Sequence, residues 1–125
     1  MTVRPPALAA PKITKLWAGS PAAALDYEIA QEKAAALGRL GRGLEAALAA
    51  LAAYDAQERA PSDEARRERR SLVAQAGHAL WLFVVQREAI GLRDTRALMR
   101  DYRVPQDVVN RMGLLPATVA AKLSR

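Results

Sequence analysis

The stretch LGRLGRGLEAALAALAAYDA, residues 37–56, decides how the chain is built. Its leucines recur three or four positions apart, the spacing that puts them on one side of an α-helix. It also holds Gly38, Gly41 and Gly43, and each glycine costs about 1 kcal/mol relative to alanine in a helix interior. On a wheel of about 100° per residue, Leu25, Ile29, Leu40, Leu44, Leu51 and Tyr54 share one arc, with Leu37 and Leu48 at its edge. Gly43 falls inside that arc beside Ala36, Ala47 and Ala50, a strip of small residues that predicts a seam for a closely approaching helix. Gly41 lies at the edge of the arc. Gly38 lies outside it, where a local bend is the remaining reading. A phosphate-cradling loop would need a strand before GRLGRG and a helix opening after it, and the sequence offers neither.

Working outward, Ser20 followed by Pro21 has the signature of a helix start: a hydroxyl cap, then a proline where the missing N–H costs nothing. The helical pattern runs from there to about Gln57. Ala60-Pro61-Ser62-Asp63 breaks it and caps a second helix, which extends to about Ile90 and closes at Gly91. Asp94 caps a short third helix ending near Tyr102. Pro105 opens a fourth, stopped by Gly113. Upstream, Pro5, Pro6 and Pro11 make residues 1–19 a flexible arm. Ile13, Leu16 and Trp17 are its apolar exceptions, suited to docking on the core or in a partner's groove. Residues 114–125 read as a tail in which Val119 and Leu123 form a docking turn. The organisation is an arm, a single helical domain over residues 20–113 and a tail.

Composition agrees with this pattern. Alanine dominates, there is one Phe, and strand-favouring aromatic and β-branched residues are scarce. The expected class is all-α: a long two-helix hairpin with two short C-terminal helices, bundle-like, preceded by a flexible arm. At 125 residues the chain has room for one core. It has no cysteine, which excludes disulfides and thiolate sites. The N-terminus lacks the continuous apolar core of a signal peptide, and the longest apolar run, Ala79 to Val85, is far short of the roughly 20 residues of a membrane span. A cytoplasmic protein with no membrane partner is expected.

The second helix is apolar on two sides. Leu72, Ala76, Ala79, Leu80, Phe83 and Ile90 form one arc, and Trp81, Leu82 and Val85 lie opposite. One neighbouring helix does not cover both: either the C-terminal segments fold back over the second face or a second copy of the chain does. Both contributions are expected in a homodimer, with Trp81, Leu82 and Val85 as its interface and Gly43 as an intrachain or intersubunit seam.

Net charge is +6, and 15 of the 19 basic residues are arginine. Residues 21–58 sum to −3 and residues 71–125 to +4. This polarity suits self-association between unlike faces, and equally a basic end that meets phosphates. The run EARRERR, residues 64–70, reads as a solvated face with internal ion pairs, or as a phosphate-contacting surface.

Catalytic chemistry has little to work with. His78, the single histidine, shares a helix face with Trp81 and Leu82 and reads as a packed side chain. The acidic residues do not form the Glu and Glu-x-x-His pattern of metal-binding bundles. No catalytic, cofactor or metal site is expected.

The competing reading is nucleic acid. LMRDYRVPQDVVNRMG, residues 98–113, is spaced like a helix-turn-helix, with Leu98, Val104, Val109 and Met112 at core positions. Gln106, Asn110 and Arg111 stand where that motif reads base edges. Arg103 and the helix-2 pair Arg66 and Arg67 would hold phosphates. Against it, Arg103 occupies the turn position that favours glycine, bulky Met99 replaces a small residue, and Asp107 repels phosphate.

Two stretches, ALDYEIAQEKAAALGRLGRGLEAAL (residues 24–48) and LWLFVVQREAIGLRDTRALMRDYRVPQDVVNRMG (residues 80–113), resemble a family of small uncharacterised helical proteins from alphaproteobacteria that carries a domain of unknown function. The resemblance implies a bacterial, cytosolic, helical protein and transfers no active-site residue. The combined reading is a non-enzymatic, self-associating interaction module, with DNA binding through residues 94–113 as the alternative.

Overall fold

A computed structural model describes residues 20–113, and among these the chain is all-α. Four helices follow in order: α1 (Pro21–Asp55), α2 (Asp63–Ala89), α3 (Thr95–Asp101) and α4 (Gln106–Arg111). The expected arm with Ile13, Leu16 and Trp17, and the tail with Val119 and Leu123, lie outside the described residues. Contacts divide the chain into two units, residues 1–36 and 37–125.

The described part of the first unit is the opening of α1. Ser20 caps it as its spacing predicts: the hydroxyl accepts from the Ala23 N–H at 3.0 Å, and the Ser20 carbonyl accepts from Ala24. Leu25, Tyr27 and Ile29 are exposed here, and Gln31 Nε2 donates to the Tyr27 hydroxyl one turn back.

In the second unit, the rest of α1 runs antiparallel to α2. Its last turn meets the start of α2, where the Tyr54 hydroxyl donates to the Ala65 carbonyl at 2.8 Å. Gly41, nearer its middle, faces Phe83 toward the end of α2. Leu44, Leu51, Val73, Ala76, Leu80, Phe83 and Val84 bury together, and α3 and α4 close the core with Leu98 and Val108. Ser62 caps α2 by accepting from the Ala65 N–H, and Asp94 caps α3 by accepting from Ala97. Gly91 (φ 93°) and Gly113 (φ 88°) adopt the left-handed conformation expected of helix stops.

The glycines depart from the reading of the wheel. Gly43 is exposed, and a Cβ built on it meets no atom within 4 Å, so it is not the intrachain seam. That part belongs to Gly41, which is buried, with a built Cβ only 3.3 Å from the Phe83 ring and 3.4 Å from the Tyr102 hydroxyl. The physical reason is a rotation of the buried arc. Leu25 and Ile29 drew the centre of the wheel toward Gly43, yet both are exposed, and the buried face is set by Gly41, Leu44 and Leu51. At Gly38 a built Cβ would meet only the flexible end of Arg42, at 3.3 Å, so close helix packing does not account for this glycine.

Gly43→Ala should therefore stabilise the protein by about 1 kcal/mol, since helix propensity changes and packing does not. A urea titration reads this directly. Loss of stability would mean that Gly43 is covered after all.

Candidate functional site

Two surfaces of the second unit carry residues singled out from the sequence. The first is the outer side of α2. While Leu80, Phe83 and Val84 are buried, Trp81, Leu82 and Val85 remain 39%, 36% and 45% exposed. Ile90 and Leu92, just past the helix, are exposed as well, which corrects the assignment of Ile90 to the buried arc. His78 lies one turn before Trp81, half-buried, with the two rings tilted by 30° and their centroids 6.3 Å apart. Gly113 also sits against this face, its built Cβ 3.8 Å from the indole. None of the residues at positions 78, 81, 82 and 85 carries a carboxylate or a basic chain of Lys or Arg type.

The second surface grows from the turn between α3 and α4. Arg103 takes φ 51°, the left-handed value that the helix-turn-helix spacing demands and that glycine would adopt without strain. The conformation costs an L side chain about 1–2 kcal/mol. Its neighbours offset that cost: Tyr102 stacks edge-on against Phe83 with centroids 5.6 Å apart, and the Val104 N–H donates to the Met99 carbonyl. Of the four positions the motif reserves for core, Leu98 is buried and Val104, Val109 and Met112 are half-buried, like Met99; the residue of α4 that enters the core fully is Val108, which the spacing did not single out. On the outer side Gln106 Nε2 donates to Asn110 Oδ1 at 2.9 Å, so these two amides engage each other.

Packing of α4 against α2 then makes a cleft. Gly77 is the residue that permits it: a Cβ there would lie 3.0 Å from Arg111 Cβ and 3.1 Å from the Arg111 carbonyl carbon. Across from this contact, Arg69 bridges three helices, donating from Nε and Nη2 to Asp55 and from Nη1 to Asp107 at 2.8 Å. The resulting cleft, about 820 Å³, is lined by Arg66, Arg67, Arg70, Arg111 and the engaged Arg69–Asp107 pair over Val73 and Ala74. Arg66, Arg67 and Arg111 are thus brought together, whereas Gln106, Asn110 and Arg103 do not line the cleft. Asp107, expected to repel phosphate, spends its charge on Arg69.

Hydrogen bonds from Arg69 hold the Asp55 carboxyl below its ordinary value, and those of Asp55 and Asp107 raise the guanidinium's. With its folded value depressed, Asp55 contributes stability above its usual pKa of 3.8 and loses it as the pH falls through the folded value. Both ion-pair partners are well exposed, so solvent screening keeps the effect below about 1 kcal/mol. Asp55→Asn should be less stable than the parent at pH 7, with the gap closing below pH 3.8. Chemical denaturation at several pH values checks the trend. A gap that persists in acid would assign it to something other than the carboxylate.

Sequence reasoning missed Arg69 and Gly77. The first sat in a charge run with no local sign of long-range partners; the second was an unremarked glycine in an apolar helix, the one available hint of close approach. Among the described residues no helix is long and apolar enough to cross a membrane, and no three His, Cys, Asp or Glu gather as metal ligands would.

The fold and these surfaces define a small all-α domain with an exposed apolar helix face and an arginine-lined cleft. A family of unknown function, DUF6665, matches residues 11–120, and the chain belongs to it. No curated protein and no solved structure matches the chain.

Proposed function

We propose that the domain is a non-enzymatic helical interaction module that pairs with a second copy of itself through the outer side of α2. The observation that carries this reading is the exposure of Trp81, Leu82 and Val85 on a helix whose other side is already in the core. An uncharged, aromatic-centred stripe is self-complementary, as a two-fold interface requires, because no like charges meet across the axis. The setting proposed with it is the bacterial cytoplasm implied by the sequence resemblance. Light scattering tests the pairing. At high micromolar concentration the wild-type mass should be twice 13.5 kDa, and a Leu82→Glu, Val85→Glu double variant should weigh 13.5 kDa with unchanged helicity. A wild type of single-chain mass would overturn the reading.

Duplex DNA is the second reading, favoured by the left-handed turn at Arg103 between two helices whose core positions are filled. It places Gln106, Asn110 and Arg111 against base edges, with Arg103, Arg66 and Arg67 on phosphates. Affinity for duplex should then fall steeply with salt, and Asn110→Ala should flatten sequence preference. Absence of binding at low salt removes this reading.

A further inference from the structure

We propose that the cleft between the first half of α2 and α4 binds a small organic phosphate, with Arg67, Arg70 and Arg111 holding the phosphate and Val73 and Ala74 receiving an apolar body. This cleft is separate from the face of Trp81, Leu82 and Val85 proposed for self-association, and its arginines differ in their charge partners. Arg66 is answered by Asp63, and Arg69 by Asp55 and Asp107. Among the described residues Arg67, Arg70 and Arg111 have no carboxylate partner, and all three line the same cleft. The one acidic residue in the lining, Asp107, is engaged by Arg69. The cleft therefore holds uncompensated positive charge within concave walls, an arrangement that concentrates potential and attracts anions.

Guanidinium groups favour phosphate because their forked donors match its oxygens two at a time. The positions of these groups are partly preset. Arg111 is half-buried, its stem pressed against Gly77, and the Asp107–Arg69 pair ties the preceding turn of α4 to α2. Less freedom is lost on binding when the donors are already held.

Beneath the arginines lie Val73 and Ala74, both buried in the described chain. An apolar floor under cationic walls asks for a ligand with two parts, and a volume of about 820 Å³ falls within the range of small-molecule sites. A duplex carries its phosphates on a convex cylinder. It would touch the rim arginines and leave the floor unused, whereas a small ligand reaches both.

Phenyl phosphate is the probe, with phenol, inorganic phosphate and a short DNA duplex as comparisons, each titrated calorimetrically into the full chain. Phenyl phosphate should bind with Kd below about 1 mM, and phenol and inorganic phosphate about tenfold more weakly. Arg70→Ala and Arg111→Ala should each weaken phenyl phosphate about tenfold. Arg96→Ala, outside the cleft, should change nothing, and circular dichroism should show all three variants folded. No binding of phenyl phosphate at roughly ten times that concentration, or binding indifferent to Arg70→Ala and Arg111→Ala, would overturn the proposal. So would duplex binding that depends on these arginines while phenyl phosphate fails to bind, because the cleft would then serve a polymer.

Discussion

Leu80→Ala should lower the unfolding free energy by about 2–5 kcal/mol, the usual range for emptying a fully buried leucine position. Leu80 is 0% exposed and sits in the cluster formed by Leu44, Leu51, Phe83, Leu98 and Val108, so every helix of the second unit contributes to its surroundings. Truncation removes apolar contact with all of them and leaves a cavity that helices pinned by Gly41 and Gly77 contacts are poorly placed to close. The same substitution two residues along is the internal control. Leu82→Ala removes a side chain that is 36% exposed in the single chain, and measured at low protein concentration it should cost only about 1 kcal/mol, in proportion to the apolar area it covers. Urea denaturation of the pair compares the two faces of one helix. Equal costs would mean that the outer face is as covered as the inner.

Gly77→Ala should be destabilising by about 1–3 kcal/mol although alanine is the better helix former. The opposing effects have different sizes. Propensity favours alanine by about 1 kcal/mol. Against it, the new methyl would stand 3.0 Å from Arg111 Cβ and 3.1 Å from a backbone carbon of α4, and backbone gives way only by moving the helix. Because α4 carries Val108 into the core, its displacement loosens Leu80 and Leu98 as well. Thermal unfolding measures the loss, and amide exchange should show it concentrated in residues 106–111. A higher melting temperature would show that α4 stands farther from α2 than the described packing.

Elements were legible because their signals are local. Ser20, Ser62 and Asp94 announced helix starts through cap chemistry, and Gly91 and Gly113 announced stops through their freedom at positive φ. The division of α2 into a buried and an exposed side was also readable, since a period of about 3.6 residues fixes which side chains share a face. What the period does not supply is the neighbour. It ranked Gly43 above Gly41, because a wheel weights Leu25 and Ile29 like Leu44, whereas only positions facing another helix are buried. Gly77 against Arg111, and Arg69 between Asp55 and Asp107, join residues far apart in the chain. Such pairs follow from how helices cross, which no local pattern encodes. Arg103 is the instructive middle case: its turn was legible from spacing, and the strain expected to argue against it is present and tolerated.

Indole emission reports most directly on whether a second copy covers Trp81. In a Trp17→Phe background Trp81 is the single tryptophan, and its spectrum can be followed from high to low micromolar protein and below. Mutual coverage predicts blue-shifted emission in concentrated solution that moves to the red on dilution, in step with the fall in mass. A wavelength that stays fixed across the whole dilution series would contradict it, whether the fixed value belongs to an indole always in water or to one always enclosed by its own chain.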